Sequence, residues 1–190
     1  MKTIREDHAL SLWLNLLGVL GISVLLGTAF YYQLAFSQLP CPLCLLQRVG
    51  LLAIGLAFLF NVRLGVSNIH YAMAIVAALV TGAIAARQVL LHIAPGNAGY
   101  GDLFLGLHFY TWALIASMVS ILAVAFMMLM LDDGVVAKTP GRDNRPPRYL
   151  SETVTVAFVW LIAGNLVSTV LECGAGQCAD DPVSYQLLGR

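Results

Sequence analysis

Residues 8–47, HALSLWLNLLGVLGISVLLGTAFYYQLAFSQLPCPLCLLQ, contain no Asp, Glu, Lys or Arg. A spanning helix needs about 20 apolar residues, at about 1.5 Å each, to cross a hydrocarbon core about 30 Å thick. This run is too long for one span and must turn. Pro40 and Pro42 mark the turn, because proline breaks a helix interior and disfavours helix in the residue before it. We therefore predict two membrane-spanning helices separated at these prolines.

The composition of the whole chain excludes folds that face water on all sides. Of its 190 residues, 59% are hydrophobic and 11% are charged, whereas soluble domains are about 45–50% apolar and about 25% charged. So few charges cannot cover the surface of a soluble globular domain or keep a disordered chain solvated. The formal net charge is zero, so no basic field exists to hold phosphates, and we predict no nucleic-acid partner.

The positions of charges and prolines divide the chain into five spans. Between residues 8 and 131 the charged residues are Arg48, Arg63, Arg87 and Asp102. The predicted spans cover roughly residues 10–32, 43–62, 69–92, 107–131 and 153–171. We therefore predict an all-α membrane protein, a transmembrane helical bundle with a four-helix core plus a fifth spanning helix. The core occupies residues 1–131, a cytoplasmic loop 132–150, the fifth helix 151–171 and a periplasmic tail 172–190.

The distribution of Lys and Arg predicts the orientation, because these residues concentrate in cytoplasmic loops. An inside N-terminus places seven of them inside, namely Lys2, Arg5, Arg63, Lys138, Arg142, Arg145 and Arg148. It leaves three outside, namely Arg48, Arg87 and Arg190. We therefore predict a cytoplasmic N-terminus, with loops 33–43 and 93–106 and the tail on the outer side.

All four cysteines fall on the outer side in this topology. Cys41 and Cys44 form a C-x-x-C at the start of the second span, and Cys173 and Cys178 follow the fifth. Disulfides persist in oxidising compartments such as the bacterial periplasm, and short exposed disulfides tend to be labile. Arg48 follows Cys44 by one helical turn, where a permanent cation stabilises a thiolate. Two close pairs beside such a cation indicate redox chemistry.

The residues alone leave other interpretations open. Arg48 is equally compatible with an interfacial arginine that extends its head to water. The pair Cys173 and Cys178 is also compatible with a permanent structural disulfide or with two unreacted thiols. Zinc is bound by two cysteine pairs in many proteins, but here four membrane crossings separate the pairs. His92 and His108 on the outer side are a candidate pair for haem, although interfacial histidines usually make ordinary hydrogen bonds. We predict no metal site.

Three motifs resemble the DsbB family of bacterial inner-membrane enzymes, which make disulfides with quinone. The sequence LPCPLCLLQR, residues 39–48, resembles the family signature. Ala86-Arg87-Gln88, followed by Leu91 and Pro95, resembles the outer end of the family's third span. The segment 104–107 with Trp112 resembles the start of the fourth span. In this order the motifs cover roughly residues 10–131.

The resemblance implies a relay in the bacterial inner membrane. A periplasmic thioredoxin-fold protein of the DsbA type gives two electrons to a mobile cysteine pair. The electrons pass to the C-x-x-C and then to ubiquinone or menaquinone. By position, Cys41 exchanges with the mobile pair and Cys44 faces the quinone. The residues implied to bind the quinone are Arg48, Arg87 and, by a looser match, His92.

The chain departs from the family in the loop 93–106, which contains no cysteine although the family carries its mobile pair there. Our hypothesis is that Cys173 and Cys178 on the tail replace that pair. Two other classes remain as alternatives. One is an enzyme similar to vitamin K epoxide reductase, whose C-x-x-C typically lies on a later span. The other is a non-enzymatic membrane subunit with a structural disulfide in its tail.

Overall fold

The computed structural model describes residues 2–129, 146–174 and 176–189, with side chains described from residue 10 onward. It contains five long helices and one short strand pair. The helices are α1 (Lys2–Ala35), α2 (Pro42–Leu64), α3 (Asn68–Leu91), α4 (Phe109–Leu129) and α5 (Arg148–Cys173). All five contain a stretch long and apolar enough to cross a membrane. The predicted all-α membrane bundle with five spans is confirmed.

The helix ends extend beyond the apolar stretches that predicted them. α1 begins at Lys2, although the apolar run starts near residue 10. α5 begins at Arg148, where the guanidinium forms an ion pair with Glu152, 2.7 Å away and one turn along the helix. Polar side chains can therefore continue a helix where hydrophobicity has ended. Most of the predicted loop 132–150 lies outside the described residues, and residues 148–150 form the first turn of α5.

α2 lies at the centre of the bundle, where it packs against α1, α3 and α5. α3 also packs along α4, and small residues at Ala74, Ala78 and Gly82 are buried in the interior of the bundle. A Cβ added at Gly55 of α2 would collide with the ring of Phe158 on α5. α5 is therefore an integral part of the bundle, because its largest core side chain fills a space that only glycine leaves open.

A buried polar network joins three helices at the end of the bundle opposite the cysteines. Asn61 Nδ2 donates to Asn15 Oδ1 at 2.9 Å, and Asn15 Nδ2 donates to Tyr71 Oη at 2.9 Å. Tyr71 Oη also lies 2.8 Å from Ser11 Oγ. Hydrogen bonds between helices stabilise bundles in lipid, where an unpaired polar group is costly. This network fixes the relative positions of α1, α2 and α3.

A short hairpin precedes α4, where the sequence predicted only a loop followed by a span. Strands β1 (Leu103–Phe104) and β2 (Leu107–His108) pair in antiparallel register. Leu105 and Gly106 between them have φ values of 50° and 81°, as a two-residue hairpin turn requires. Trp112 Nε1 donates to the Phe104 carbonyl at 2.9 Å and anchors the hairpin to α4. Two-residue strands are too short to leave an alternating pattern, so the sequence did not reveal them.

Candidate redox site

The C-x-x-C begins α2, as the prolines around it dictate. Cys41 is the N-cap residue and Pro42 follows in the first turn, a position that proline favours because its missing N–H has no helical partner. Cys41 Sγ accepts the backbone N–H of Cys44 at 3.2 Å. The two cysteines form a disulfide, with their Cα atoms 5.0 Å apart. The positive end of the α2 dipole therefore lies at the sulfurs and stabilises negative charge on them.

Gln88 of α3 is the side chain that reaches both sulfurs. Its Nε2 lies 3.3 Å from Cys41 Sγ and 3.5 Å from Cys44 Sγ. Its Oε1 accepts a hydrogen bond from Gln47 Nε2 at 2.7 Å, and Gln88 is only 1% exposed. Sequence reasoning missed both glutamines. The available signal was the position of Gln88 beside Arg87 in the motif at the outer end of the third span.

Arg48 is buried one turn below Cys44 and is 8% exposed. Its Nη1 donates to Gln33 Oε1 at 2.6 Å and its Nη2 to the Ala29 carbonyl at 3.4 Å. Its Cζ lies 5.1 Å from the centre of the Phe30 ring, a cation–π contact. These partners are neutral, and in the described part of the chain no carboxylate lies within ion-pairing distance. Arg48 therefore does not extend to water, and its positive charge is not neutralised by a direct partner.

Cys44, Gln47 and Arg48 line a cavity of about 650 Å³, a volume that includes its open mouth. The remaining wall is mostly apolar and aromatic and comes from α1, α4 and the outer loops, including Leu25, Ala29, Tyr32, Tyr100, Phe109 and Tyr110. Cys41 is not part of this wall. Apolar walls with a few converging polar groups are typical of sites for small organic ligands.

A second, apolar cleft runs between α1 and α4 and shares Leu25 with this cavity. Its lining includes Gly18, Gly21, Trp112, Ile115 and Phe126. Tyr32 and Phe109, with ring centres 5.1 Å apart, lie on the cavity side. The cavity beside Cys44 and the apolar cleft along the bundle are therefore neighbours, with Leu25 in the wall of each.

The other two residues implied to bind a cofactor lie at the margin. His92 caps the end of α3, and its Nδ1 is 3.2 Å from Asn97 Oδ1. Its ring stacks on Tyr110, 5.6 Å between centres, and Tyr110 lines the cavity. Arg87 is exposed on α3 and does not line the cavity. The structure therefore brings Cys44 and Arg48 together, places His92 behind the cavity wall and leaves Arg87 outside it.

The second cysteine pair closes a short loop at the end of α5. Cys173 and Cys178 form a disulfide with their Cα atoms 4.5 Å apart. Cys173 is 4% exposed, whereas Cys178 is half-buried. The tail then folds back, and Leu187 N–H donates to the Leu171 carbonyl at 3.1 Å. No cysteine is free, and within the described residues no cluster of His, Cys, Asp or Glu is arranged to hold a metal ion.

Gln33 connects the tail to the site around Arg48. It is buried at the end of α1, where its Oε1 accepts the Arg48 guanidinium. Its Nε2 donates to Ser168 Oγ on α5 at 2.7 Å and to Tyr185 Oη in the tail at 2.9 Å. One amide thus links α1, α2, α5 and the tail. The sequence carried no signal of this contact, because residues 33 and 185 meet only through the packing of three helices.

Acidic residues of the tail also lie near the outer loops. Glu172 is 3% exposed, and neither of its carboxylate oxygens has a hydrogen-bond partner in the described part of the chain. Burial raises the pKa of Tyr100 to about 12, and the negative charges of Asp181 and Glu172 add to the rise. Tyr100 therefore remains a neutral donor and holds the Leu39 carbonyl at 2.8 Å, two residues before Cys41.

Comparison with known proteins gives one consistent family. The sequence profile of "Disulfide bond formation protein DsbB" matches residues 11–100. Disulfide bond formation protein B of Pseudomonas syringae pv. tomato is 39% identical over 90 residues, which are 45% of this chain and 52% of that protein. The protein of that name from Marinobacter nauticus is 38% identical over 92 residues, 46% of this chain and 54% of the relative.

A third relative, from Xanthomonas oryzae pv. oryzae, is 35% identical over 85 residues, 42% of this chain and 49% of that protein. The chain thus spans about half the length of the curated relatives that it matches. No solved structure matches it significantly. The matched region contains Cys41, Cys44, Arg48 and Gln88, and it ends before α4, α5 and the tail. Through residues 11–100, the chain is therefore similar to the DsbB family.

Proposed function

We propose that the protein is a disulfide-generating oxidoreductase that reoxidises a periplasmic thiol oxidase of the DsbA type and passes the electrons to membrane quinone. One observation carries this proposal. The Cys41–Cys44 disulfide lies beside an apolar cavity that is also lined by the buried Arg48, which has no carboxylate partner among the described residues. A structural disulfide needs neither the cavity nor the cation.

The residues around the cavity fit ubiquinone or menaquinone. A quinone is an apolar ring with two carbonyl acceptors, and when bound it accepts two electrons and two protons. Arg48 and Gln47 supply polar groups, and Tyr32, Phe109 and Tyr110 supply flat apolar walls. The cleft between α1 and α4 offers an apolar surface for an isoprenoid chain and a path from the lipid.

The two cysteines of the C-x-x-C have different proposed roles. Cys44 lines the cavity and Cys41 does not, which supports Cys44 as the sulfur that faces the quinone and Cys41 as the sulfur that exchanges with another dithiol. Arg48 stabilises negative charge that develops in the cavity during electron transfer. His92 acts on the same cavity through Tyr110, and Arg87 acts from the exposed side of α3. These two assignments rest on the family motif more than on contacts.

The tail pair is proposed to receive electrons from the partner. The partner's dithiol reduces the Cys173–Cys178 disulfide and becomes a disulfide itself. The tail dithiol then reduces Cys41–Cys44 in the same way, so each step moves two electrons and two protons. Cys178 is the more exposed sulfur, which supports it as the point of attack by the partner.

The proposed location is the bacterial inner membrane, with a cytoplasmic N-terminus. The excess of Lys and Arg on the predicted inner side supports this orientation. Gln33 accepts a hydrogen bond from Arg48 and donates one to Tyr185, which supports a shared outer end for the C-x-x-C and the tail.

The test uses membranes that contain the full chain, a reduced thioredoxin-fold thiol oxidase and ubiquinone. We expect one quinone to be reduced for each disulfide formed in the partner, followed by the quinone absorbance and by thiol titration. A Cys44→Ser variant should abolish both signals. Partner oxidation without any change in quinone would overturn the proposal, and a complete lack of redox change would favour a structural subunit.

A further inference from the structure

Two polar side chains are candidates for stabilising the sulfurs of the C-x-x-C after reduction. Arg48 is the expected one, but its described hydrogen bonds go to Gln33 and Ala29 on α1. The amide of Gln88 instead lies within 3.3 Å and 3.5 Å of Cys41 Sγ and Cys44 Sγ. The contacts therefore indicate two different roles. Gln88 supplies a hydrogen-bond donor to the sulfurs, whereas Arg48 supplies a positive charge to the cavity.

The orientation of the Gln88 amide is coupled to that of its neighbour. Gln47 Nε2 donates to Gln88 Oε1 at 2.7 Å. If the Gln88 amide were flipped, two NH₂ groups would face each other and the sulfurs would face an oxygen. Hydrogen-bond networks of this kind assign the two ends of an amide. Because Gln88 is 1% exposed, little water is available to replace these contacts.

We propose that Gln88 is the hydrogen-bond donor that stabilises the thiolate formed when the Cys41–Cys44 disulfide is reduced. This inference rests on the proposed function only in assuming that the pair is reduced and reoxidised. An incoming thiolate attacks one sulfur, the S–S bond breaks, and the electron pair of that bond remains on the other sulfur as a thiolate. Gln88 contacts both sulfurs, so it can serve the thiolate at either position.

The donor favours the reduced state over the oxidised state. A disulfide sulfur is a weak acceptor, whereas hydrogen bonds to an ionised group are roughly twice as strong as neutral ones. Gln88 therefore raises the reduction potential of the pair and makes it a stronger oxidant. A residue that merely packs against the disulfide would leave this equilibrium unchanged.

The test compares Gln88→Met, which keeps the length and loses the donor, with Gln88→Glu, which keeps the shape and places an acceptor at the sulfurs. The full chain in detergent is equilibrated with glutathione buffers, and free thiols are trapped by alkylation. Mass spectrometry of the peptides then gives the redox state of each pair separately. The measurement needs neither quinone nor partner.

We expect the equilibrium constant for reduction of Cys41–Cys44 to fall about tenfold in Gln88→Met, which is about 30 mV for a two-electron couple. The fall should be larger in Gln88→Glu and smaller in Gln47→Met, which frees the amide to rotate. The Cys173–Cys178 equilibrium should not change in any of them. Ser117→Ala is the matched control, because it removes a buried hydroxyl whose hydrogen bond, among the described residues, goes to the Ala113 carbonyl of its own helix.

Values for Gln88→Met and Gln88→Glu within about twofold of the wild type, less than about 10 mV, would overturn the inference. If a Gln88 variant does not fold, the same equilibrium constant is measured in Gln47→Met, because this variant keeps Gln88 in place. Failure of the proposed function looks different. In that case the wild-type Cys41–Cys44 pair would reduce and reoxidise normally in glutathione but would never exchange electrons with quinone or partner.

Discussion

Both cysteine pairs form disulfides, but one pair lies at the N-terminal end of a helix and the other at the C-terminal end of a helix. Cys41 and Cys44 begin α2, where the helix dipole is positive and Gln88 donates hydrogen bonds. Cys173 is the last residue of α5, where the dipole is negative, and it follows the buried carboxylate of Glu172. Thiolates are stabilised at the first location and destabilised at the second.

This difference gives the proposed relay a direction. A pair whose thiolates are stabilised is a stronger oxidant, and a pair whose thiolates are destabilised is a stronger reductant. We therefore expect electrons to move from Cys173–Cys178 to Cys41–Cys44 without further driving force. The helix end at which a cysteine lies therefore influences how readily its disulfide is reduced.

Serine substitutions in the two cysteine pairs should have the strongest effects and should distinguish the functions of the pairs. Cys44→Ser should abolish quinone reduction with any electron donor, because no dithiol remains beside the cavity. The double variant Cys173→Ser with Cys178→Ser should abolish oxidation of the protein partner but still reduce quinone with dithiothreitol. Quinone absorbance recorded with both donors checks this. Full activity of the tail variant with the protein partner would show that the two pairs do not act in series.

The second prediction concerns the charge of the cavity. Arg48→Met should lower quinone reduction by about 10- to 100-fold, since interactions with a charged group contribute about 1.5–3 kcal/mol. Arg87→Met is a matched substitution at an exposed position, and we expect it to have a much smaller effect. Steady-state rates over a range of quinone concentrations measure both. Equal losses in the two variants would contradict the assignment of Arg48 as the residue that acts in the cavity.

The third prediction tests the electrostatics of the tail. Glu172→Gln removes a buried carboxylate while keeping its shape, so reduction of Cys173–Cys178 should become about two- to tenfold more favourable, or about 10–30 mV. Asp180→Asn at an exposed position nearby is the control and should change the equilibrium less. The measurement is equilibration with glutathione followed by mass spectrometry of the tail peptide. An unchanged tail pair in Glu172→Gln would remove the electrostatic contrast between the two pairs.

The smallest expected effect concerns docking of the tail. Tyr185→Phe removes the acceptor for Gln33 Nε2, a loss of about 0.5–1.5 kcal/mol. Hydrogen exchange at the Leu187 amide, which bonds the Leu171 carbonyl, should accelerate about two- to tenfold. Exchange at core amides of α2 serves as the internal control. Unchanged exchange at Leu187 would show that the tyrosine does not hold the tail.

The features that the sequence predicted are properties of single segments of the chain. A scarcity of charge and the prolines at 40 and 42 located the spans, because lipid tolerates few other arrangements. The C-x-x-C and Arg48 were found because they are close in the chain. Gln88, Gln33 and Tyr185 were missed because their roles arise when helices far apart in sequence pack together. The hairpin at Leu103–His108 was missed because it is shorter than any detectable period.

Trapping a disulfide between the two cysteine pairs tests whether the tail reaches the C-x-x-C. In the double variant Cys44→Ser with Cys178→Ser, only Cys41 and Cys173 remain, and mild oxidation with oxidised glutathione can join them. We predict an intramolecular Cys41–Cys173 disulfide, identified by mass spectrometry of the linked peptides. The matched variant Cys41→Ser with Cys178→Ser should form the corresponding Cys44–Cys173 bond less readily, because Cys44 lines the cavity. Separate glutathione adducts on Cys41 and Cys173, with no linked peptide, would contradict the relay between the two pairs.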